Sequence, residues 1–362
     1  MAQRTTLGCT CHDGHALTPR SRLTPNDMSE QPLVSVVMPN YNARATLSEA
    51  LESVLCQTWR NLDVVVVDDG STDGSLAAAQ GYANVDQRVR VLARAHQGIV
   101  AALQWGCEAA RGSFIARMDA DDIAHPERIA RQMSFMRENP GVALCGACVR
   151  MFGPAASSGR RRYERWTNSL CEQEAIIREL FVECPIPHPV FLIRRRAYDE
   201  VGGYMDHGWP EDYDLVMRLW RAGHGLGKTP EALLWWRDTP ARLSMRDDRY
   251  SPHQFRRLKR HYLFEGYLAG ECPFIQWGAG EVGKTWLREW PAGRRPDVVV
   301  DINPRKIGRV IHGVEVIAPD DIPPAGERFI LIAVGAPGAR AEIRQWLTPR
   351  GHREGEHYLF VA

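Results

Sequence analysis

Short apolar runs alternate with segments of helical periodicity in the first third of the chain. Four runs have the length and composition of buried strands, at 33–38, 62–68, 89–93 and 113–118. Between them, apolar side chains recur at helical spacing at 45–58, from about 73, and at 98–112, where Gly112 is expected to end the helix. The first helix places Leu47, Leu51, Val54 and Leu55 on one face. This alternation predicts a parallel, doubly wound α/β sheet.

The pattern changes after residue 118. A helix is expected with Pro126 at its first position, and the section from about 142 to 250 mixes strands with helices, including one at 210–223. A basic helical stretch precedes a strand, a glycine-rich turn and a helix at 273–290, and further apolar runs follow to residue 361. We therefore predict a leader at 1–30, a large α/β domain at 31–250, a helical connector at 251–271 and a small α/β domain at 272–362.

The composition is that of an ordinary globular protein, since 25% of the 362 residues are charged and 44% are hydrophobic. A net charge of +1 gives no general case for nucleic-acid binding. No apolar run approaches the ~18 residues that span a bilayer, and the leader lacks the hydrophobic segment of a signal peptide. We expect a disordered leader, with Met28 as an alternative start, and a cytoplasmic protein. Local basic runs would allow peripheral association with the inner face of a membrane.

The cysteines indicate a reducing compartment rather than a disulfide framework. There are nine, an odd number, and they are scattered through apolar segments. Cys145 and Cys148 have the spacing of redox or zinc pairs, but they lie in a strand-like run without a second pair, which favours a buried structural role. The cluster Cys9, Cys11, His12 and His15 is a weak metal-site signal for the same reason.

Carboxylates cluster where predicted strands end. Asp68 and Asp69 follow the second strand, and Asp119, Asp121 and Asp122 follow the fourth. Open α/β sheets bind ligands at the carboxyl ends of their strands. Like charges this close raise each other's pKa unless a cation offsets them, and hard divalent cations take carboxylate oxygens. A helix-capping turn, a calcium loop and the aspartate pair of a phosphatase are alternatives for the individual clusters.

Read in order, the motifs from residue 33 to 245 closely resemble glycosyltransferase family 2. They are "VSVVMPNYNA", "VVVVDDGSTDGS", "HQGIVAALQWG", "ARGSFIARMDADDIAHPERI", "PHPVFLIRR", "VGGYMDHGWPEDYDLVMRLWRAG" and "RLS". The resemblance implies a GT-A fold and an inverting transfer of a sugar from a nucleotide-diphosphate donor, most commonly a UDP-sugar, assisted by Mn²⁺ or Mg²⁺. It also implies a glycan or lipid-linked acceptor in the synthesis of a bacterial cell-surface polysaccharide.

The resemblance further implies roles for individual residues. Asp121 would ligate the metal, with Asp119 acting through the metal or the donor's ribose, while Asp122 is expected only to cap the next helix. Pro39, Tyr41 and Asp69 match positions that bind the nucleobase and its ribose. Gly98 would let the backbone approach the donor, and Arg117 would support phosphate or the carboxylate cluster.

The acceptor side of the site is expected around residue 212. Asp212 matches the family's general base, and Glu211 would orient the acceptor or its neighbours. His188 lies near the donor sugar in the family, although a packed, hydrogen-bonded histidine is an equal alternative. Thr239 stands where many relatives have a histidine, which leaves a non-catalytic nucleotide-sugar binder as the rival interpretation.

A second glycine-rich turn lies in the small domain. Gly278, Gly280 and Gly283 fall between a predicted strand and helix, and Asp301 ends the next predicted strand. This spacing resembles the dinucleotide-binding fingerprint of Rossmann-like domains. The unit is about half the length of a full dinucleotide domain. A structural or acceptor-handling module, a nucleotide-binding module without chemistry, and an NAD(P)-dependent oxidoreductase all remain open, because fold does not fix function.

Overall fold

The computed structural model describes residues 31–154, 157–239, 242–270 and 272–362. The predicted leader, the alternative start at Met28 and the cluster Cys9, Cys11, His12 and His15 lie outside the described residues. Among the described helices, none is long and apolar enough to cross a membrane.

The first sheet has eight strands in the spatial order β3-β2-β1-β4-β7-β6-β8-β5. Its strands are β1 (Val34–Asn40), β2 (Leu62–Asp69), β3 (Val89–Arg94), β4 (Phe114–Arg117), β5 (Ile123–Ala124), β6 (Val142–Phe152), β7 (Leu192–Arg194) and β8 (Gly225–Arg237). Strands β1 to β4 are parallel, as the sequence predicts. Strand β7 runs antiparallel to both β4 and β6, and β5 runs antiparallel to β8, which makes the sheet mixed.

Among the described residues, eight α-helices belong to this sheet. They are α1 (Leu47–Leu55), α2 (Ser75–Val85), α3 (Ile99–Ala109), α4 (Arg128–Glu138), α5 (Ser158–Asn168), α6 (Gln173–Glu179), α7 (Arg195–Glu200) and α8 (Glu211–Arg221). In α1 the side chains of Leu47, Leu51 and Val54 are buried, whereas Leu55 is only partly buried. The apolar face read from the sequence is thus the face that packs on the sheet.

Two helix boundaries differ from the sequence prediction. Helix α3 ends at Ala109, so Gly112 does not terminate it. A Cβ on Gly112 would lie 2.6 Å from the carbonyl oxygen of Leu33, so glycine is needed there for close approach to β1. Helix α4 begins at Arg128, because Pro126 lies in a turn in which the carbonyl of His125 accepts the N–H of Arg128 at 2.9 Å.

The second sheet has six strands in the order β11-β12-β10-β9-β13-β14. Its strands are β9 (Phe274–Trp277), β10 (Val298–Val300), β11 (Val310–Ile311), β12 (Val314–Ile317), β13 (Phe329–Ile332) and β14 (Tyr358–Phe360). All neighbouring pairs are parallel except β11 with β12. Its helices are α10 (Glu281–Glu289) and α11 (Ala339–Leu347), and α9 (Pro252–Glu265) connects the two sheets. Strands β11 and β12 and helix α11 are elements that the sequence pattern does not predict.

The two sheets share a packed boundary. Buried Lys259 of α9 donates to the carbonyls of Val182 at 2.6 Å and Val361 at 3.2 Å. Glu179, at the end of α6, forms ion pairs with Arg340 and Arg344 of α11. The division into domains at 31–250, 251–271 and 272–362 stays a prediction, because one apolar core cluster runs from β1 to the final strand.

Candidate functional site

Two neighbouring parallel strands bring the first groups of the site together. Strands β1 and β4 are paired so that Val37 lies opposite Arg117. The segments that follow them therefore emerge at the same edge of the sheet. The hydroxyl of Thr46 donates to the carbonyl of Ala120 at 2.9 Å, which fixes the turn after β4 against the start of α1.

Asp119, Asp121 and Asp122 form the acidic cluster of this edge. One carboxylate oxygen from each lies within 4.8 Å of the others. Burial, and after it the charge of Asp119, raises the pKa of Asp121 to about 6. Burial and the two neighbouring carboxylates hold the pKa of Asp122 well above its usual value. Without a cation, the negative charges of this cluster therefore repel one another, and ionisation of Asp121 and Asp122 is unfavourable.

Asp122 does not cap a helix, contrary to the sequence expectation. It is buried, and its Oδ1 accepts the backbone N–H of Arg237 at 2.7 Å, at the end of β8. Its other oxygen has no hydrogen-bond partner within the described protein. The side chain of Arg237 donates to the carbonyl of Asp121 at 2.6 Å. Asp122 thus joins the turn after β4 to β8 while one oxygen stays available inside the cluster.

The cluster fits a hard divalent cation. Its side chains offer only oxygen donors, and the orphaned oxygen of Asp122 is buried, which is costly unless a ligand satisfies it. Arg117 is the basic group beside it, fully buried and ion-paired with Asp119. Of its two expected partners, phosphate or the carboxylates, the structure shows the carboxylate.

An aromatic pair lies at the ends of β1 and β3. The rings of Tyr41 and His96 stack with centroids 4.1 Å apart at an interplanar angle of 22°, and Tyr41 is 51% exposed. Nδ1 of His96 lies 2.8 Å from a carboxylate oxygen of Asp69. Gly70 beside it has no room for a side chain, because a Cβ would lie 2.7 Å from the nitrogen of His96. The two rings thus present a flat surface to solvent, and the contact of His96 with the buried carboxylate of Asp69 fixes their position.

Of the residues expected to bind the nucleobase and its ribose, Asp69 and Pro39 are buried and Tyr41 is exposed. Asp69 is 3% exposed, and its carboxylate accepts the backbone N–H groups of Gln97 at 3.0 Å and Gly98 at 2.8 Å. Gly98 has a φ of 90°, and a Cβ there would meet nothing within 4 Å. Pro39 is buried within β1, so Tyr41 is the exposed member of the expected set. Sequence reasoning gave His96 no role, although it is the first residue of the motif "HQGIVAALQWG" that contains Gly98.

Glu211 and Asp212 begin helix α8. Glu211 is 1% exposed and accepts the hydroxyl of Tyr250 at 2.9 Å. Burial, and then the charge of Asp212, raises the pKa of Glu211 to about 8. Asp212 keeps partial exposure, and burial raises its pKa to about 6, although the charge of Arg117 lowers it. Arg117 thus forms an ion pair with Asp119, and its charge also lowers the pKa of Asp212.

His188 is a packed histidine. It is 9% exposed, and its Nε2 lies 2.7 Å from the hydroxyl of Tyr204, while its Nδ1 lies 3.8 Å from Glu211. Burial and the charge of Arg117 hold its pKa well below the usual value. The structure therefore places a neutral imidazole behind the acidic pair and shows the packed alternative that the sequence left open.

Two arginines lie near Asp238, the residue before Thr239. The carbonyl of Thr239 accepts the N–H of Arg242 at 3.3 Å. Asp238, which is buried, pairs with Arg242 at 3.0 Å and with Arg160 at 3.4 Å, and the charge of Arg242 also acts on Asp121. Of the two, Arg242 is the arginine whose charge reaches the acidic cluster.

The cysteines of the central strand are structural. Cys145 and Cys148 are both buried and free, and the sulfur of Cys148 lies 3.8 Å from that of Cys171. Burial raises the pKa of Cys148 to about 12, so its thiol stays protonated. The redox or zinc pair is not formed among the described residues.

The three glycines of the second glycine-rich turn and Asp301, which follows β10, meet at one cavity. Gly278, Gly280, Gly283 and Asp301 all line a cavity of about 460 Å³ at the carboxyl ends of β9 and β13. It belongs to the second sheet, whereas the acidic cluster belongs to the first.

A mixed α/β sheet with a carboxylate cluster and an exposed aromatic pair at its strand ends, and an acidic pair at the start of α8, is the arrangement of an α/β enzyme that binds its ligand at the carboxyl ends of its strands. The model of glycosyl transferase family 2 matches residues 35–202. An uncharacterized glycosyltransferase of Haemophilus influenzae is 30% identical over 217 residues, which are 58% of this chain and 67% of that protein. The amylovoran biosynthesis glycosyltransferase AmsE of Erwinia amylovora is 33% identical over 205 residues, 56% of this chain and 75% of its own. The chain belongs to glycosyltransferase family 2, and its first sheet has the GT-A fold.

The similarity is concentrated in the first sheet. The family model ends before Glu211 and Asp212. The putative glycosyltransferase EpsE of Bacillus subtilis is 29% identical over 229 residues, 62% of this chain and 80% of its own. A structure of S. aureus TarS with UDP-GlcNAc covers 66% of this chain and 67% of its own, at 19% identity and a TM-score of 0.49, a likeness too weak to support an argument about ligands.

Proposed function

We propose that this glycosyltransferase moves a sugar, with inversion, from a nucleotide-diphosphate donor to an acceptor hydroxyl. The observation that carries the proposal is the acidic cluster, whose side chains offer only oxygen ligands and include a buried oxygen of Asp122 without a hydrogen-bond partner among the described residues. Such a cluster suits a cation bound to a diphosphate. We therefore propose a donor end at this cluster and an acceptor end at Asp212, whose pKa is lowered by the charge of Arg117, the partner of Asp119.

We assign the acceptor end to Asp212 as the general base. Its pKa of about 6 leaves it ionised at neutral pH, and its partial exposure lets it reach an incoming hydroxyl. The carboxylate would take the proton of that hydroxyl as the oxygen attacks the anomeric carbon opposite the leaving phosphate. Attack from the opposite face inverts the configuration, and one carboxylate suffices for it.

Glu211 and His188 support the base rather than touch substrate. The pKa of about 8 keeps Glu211 protonated at neutral pH, so Asp212 carries the negative charge of the pair. Tyr250 and His188 flank Glu211 and hold the start of α8. We therefore assign Glu211 the role of a positioning residue, which corresponds to the expectation that it orients the acceptor or its neighbours.

We assign the donor end to the acidic cluster and the aromatic pair. Asp119 and Asp121, with the free oxygen of Asp122, would hold Mn²⁺ or Mg²⁺, which when bound neutralises charge on the departing diphosphate. The exposed stack of Tyr41 on His96 would take the nucleobase, because base stacking on aromatic rings is favourable for every base. A UDP-sugar is the donor we propose.

The acceptor we propose is a glycan or lipid-linked sugar reached at the inner face of the membrane. The relative named for amylovoran biosynthesis supports a polysaccharide acceptor. With Thr239 at the position of the family histidine, Arg242 would supply the positive charge beside the diphosphate.

A thermal-shift screen of nucleotide sugars with and without Mn²⁺ tests the donor end. We expect the largest shift from one UDP-sugar, and only with the metal. Release of the nucleoside diphosphate from that sugar then distinguishes an enzyme from the non-catalytic binder that Thr239 would favour. Binding without any release above the uncatalysed rate would establish the binder instead.

A further inference from the structure

The cavity of the second sheet has the form of a ligand site. It measures about 460 Å³ and lies where β9 has β10 on one side and β13 on the other. Successive strands leave β9 in opposite directions at this point, and open α/β sheets bind ligands in the crevice that this reversal creates. A small-molecule site of this size accommodates a nucleotide.

Its glycines bring the backbone close to the cavity. Gly278 has a φ of 115°, and a Cβ there would lie 2.6 Å from the carbonyl of Ala333. A Cβ on Gly283 would overlap the carbonyl oxygen of Gly278, so this glycine lets α10 pack against the turn. Gly280 differs, because a Cβ there would meet nothing within 4 Å. Packing requires the first and third glycines, whereas the second borders open space at the start of α10.

A buried carboxylate stands beside this turn with acceptor capacity to spare. Asp301 is 8% exposed, and one of its oxygens accepts the N–H of Ala279 and the ammonium of Lys306, both at 2.9 Å. The other oxygen accepts only the N–H of Asn303, at 2.9 Å, among the contacts of the described chain. A carboxylate oxygen can accept two hydrogen bonds, so this second oxygen can still take a ribose hydroxyl.

Exposed apolar side chains at the mouth of the cavity also favour contact with a ligand. Ile302 is 75% exposed and Val282 is 39% exposed, and both line the cavity with Trp277 and Trp346. Large aliphatic side chains exposed around a concave apolar surface are typical of ligand contacts. A flat base between them would cover this surface.

We propose that the cavity of the second sheet binds a nucleoside 5′-phosphate through its free ribose diol, without redox chemistry. The base lies between Ile302 and the tryptophans, the diol reaches Asp301, and the phosphate approaches Gly280, where the first N–H groups of α10 lack intrahelical partners. Among the residues that line the cavity, the ionisable ones are three carboxylates, with no histidine, cysteine or tyrosine. A 2′-phosphate would meet the charge of Asp301, which disfavours NADP. The features that define this site do not rest on the transfer proposed above.

Two substitutions test the site without disturbing the packing. Gly280→Val adds a side chain only in the open space that the phosphate would occupy. Ile302→Asp removes the exposed apolar contact and adds a charge at the mouth. Val310→Asp is the matched control, because Val310 is 69% exposed in the same sheet and does not line the cavity.

Calorimetric titration of the full-length protein with ADP, UDP, 2′-deoxy-ADP and NAD⁺ in the presence of EDTA measures this binding. EDTA suppresses metal-dependent binding at the first sheet. We expect one saturable site for ADP or UDP in the parent and in Val310→Asp, and binding weaker by at least about tenfold in both cavity variants. The deoxynucleotide should also bind more weakly than ADP.

The variants must melt within a few degrees of the parent; should Gly280→Val not fold, Ile302→Asp carries the test alone. Absence of binding by all four nucleotides, or binding that neither variant weakens, would overturn the proposal. Tight binding of NAD⁺ alone, with no binding of ADP, would replace the mononucleotide by a dinucleotide and overturn it as stated.

Discussion

Replacing Asp212 by asparagine separates the role of this residue in catalysis from its role in folding. We expect the turnover to fall and the stability of the fold at neutral pH to rise. Asparagine cannot accept the proton of the acceptor hydroxyl. A positioned general base contributes about a hundred- to ten-thousand-fold to a rate, so we expect Asp212→Asn to lower turnover by that factor. Nucleotide affinity should stay within about twofold of the parent, since Asp212 belongs to the acceptor end.

The pH profile of the parent gives the same residue a second signature. The pKa of Asp212 is raised to about 6, chiefly by burial. A base must be deprotonated to act, so kcat/KM should fall by about tenfold per pH unit below that value and level off above it. This acidic limb should be absent from the residual activity of Asp212→Asn.

The stability of the variant should rise at neutral pH. A carboxyl whose pKa is raised on folding contributes stability below its unfolded value of 3.8, and this is lost as the pH rises through about 6. Two pKa units correspond to roughly 3 kcal/mol, and the partial exposure of Asp212 reduces this to about 1–2 kcal/mol. Asp212→Asn should therefore melt several degrees higher at pH 7.5 and show little difference at pH 4.

The assay is release of the nucleoside diphosphate from the donor that the thermal-shift screen selects, with water or a glycan as acceptor. Asp199→Asn is the control, since it removes a carboxylate that is 58% exposed on α7. Unchanged turnover in Asp212→Asn, or an acidic limb that persists in it, would remove Asp212 from the role of base. A variant that is both inactive and less stable at pH 7.5 would show that Asp212 is a structural group.

Three further predictions concern other parts of the molecule. Asp121→Asn should abolish the thermal stabilisation by Mn²⁺, which in the parent should reach about 2.7 kcal/mol at a hundred times the dissociation constant; a shift that survives would exclude the cluster as the metal site. Tyr41→Ala and His96→Ala should each weaken nucleotide binding by ~1–3 kcal/mol in calorimetry, while the thermal shift caused by Mn²⁺ alone stays as in the parent. Nucleotide affinity unchanged from the parent in both variants would argue against stacking. Glu179→Gln should lower the free energy of unfolding by about 2 kcal/mol, because it removes the charged partner of Arg340 and Arg344; calorimetric melting measures this, and an unchanged curve would contradict it.

The sequence predicts the strands β1 to β4 and the helices between them well, because strand-length apolar runs alternate there with segments of helical periodicity. The four parallel strands β1 to β4 each carry an apolar run of strand length, with a helical pattern between them. Strands β5 and β7 have two and three residues, which is too short for any periodicity to appear. Their antiparallel pairing depends on β8 and β6, distant in the chain, so only the tertiary structure shows it.

The site divides in the same way. Three carboxylates in four positions are visible in the sequence as the cluster Asp119, Asp121 and Asp122. That Asp122 accepts the backbone N–H of Arg237, 115 residues later, is not visible. Nor is the stack of Tyr41 on His96, which forms because the ends of β1 and β3 both lie beside β2. A local cluster of one residue type can be recognised in the sequence. Contacts between residues that only the order of the strands brings together can be recognised only in the structure.

Helix α11 connects the proposed nucleotide cavity to the transferase site. One part of it lines the cavity, and Arg340 and Arg344 of the same helix hold Glu179. Beyond Glu179, the carbonyl of Leu180 accepts the hydroxyl of Tyr213, the residue after Asp212. A ligand that orders α11 would therefore act on the segment that supports the base. Any such coupling is reciprocal, so a nucleotide in the cavity and a donor at the first sheet must change each other's affinity by the same factor, and Glu179→Gln should remove that factor from both.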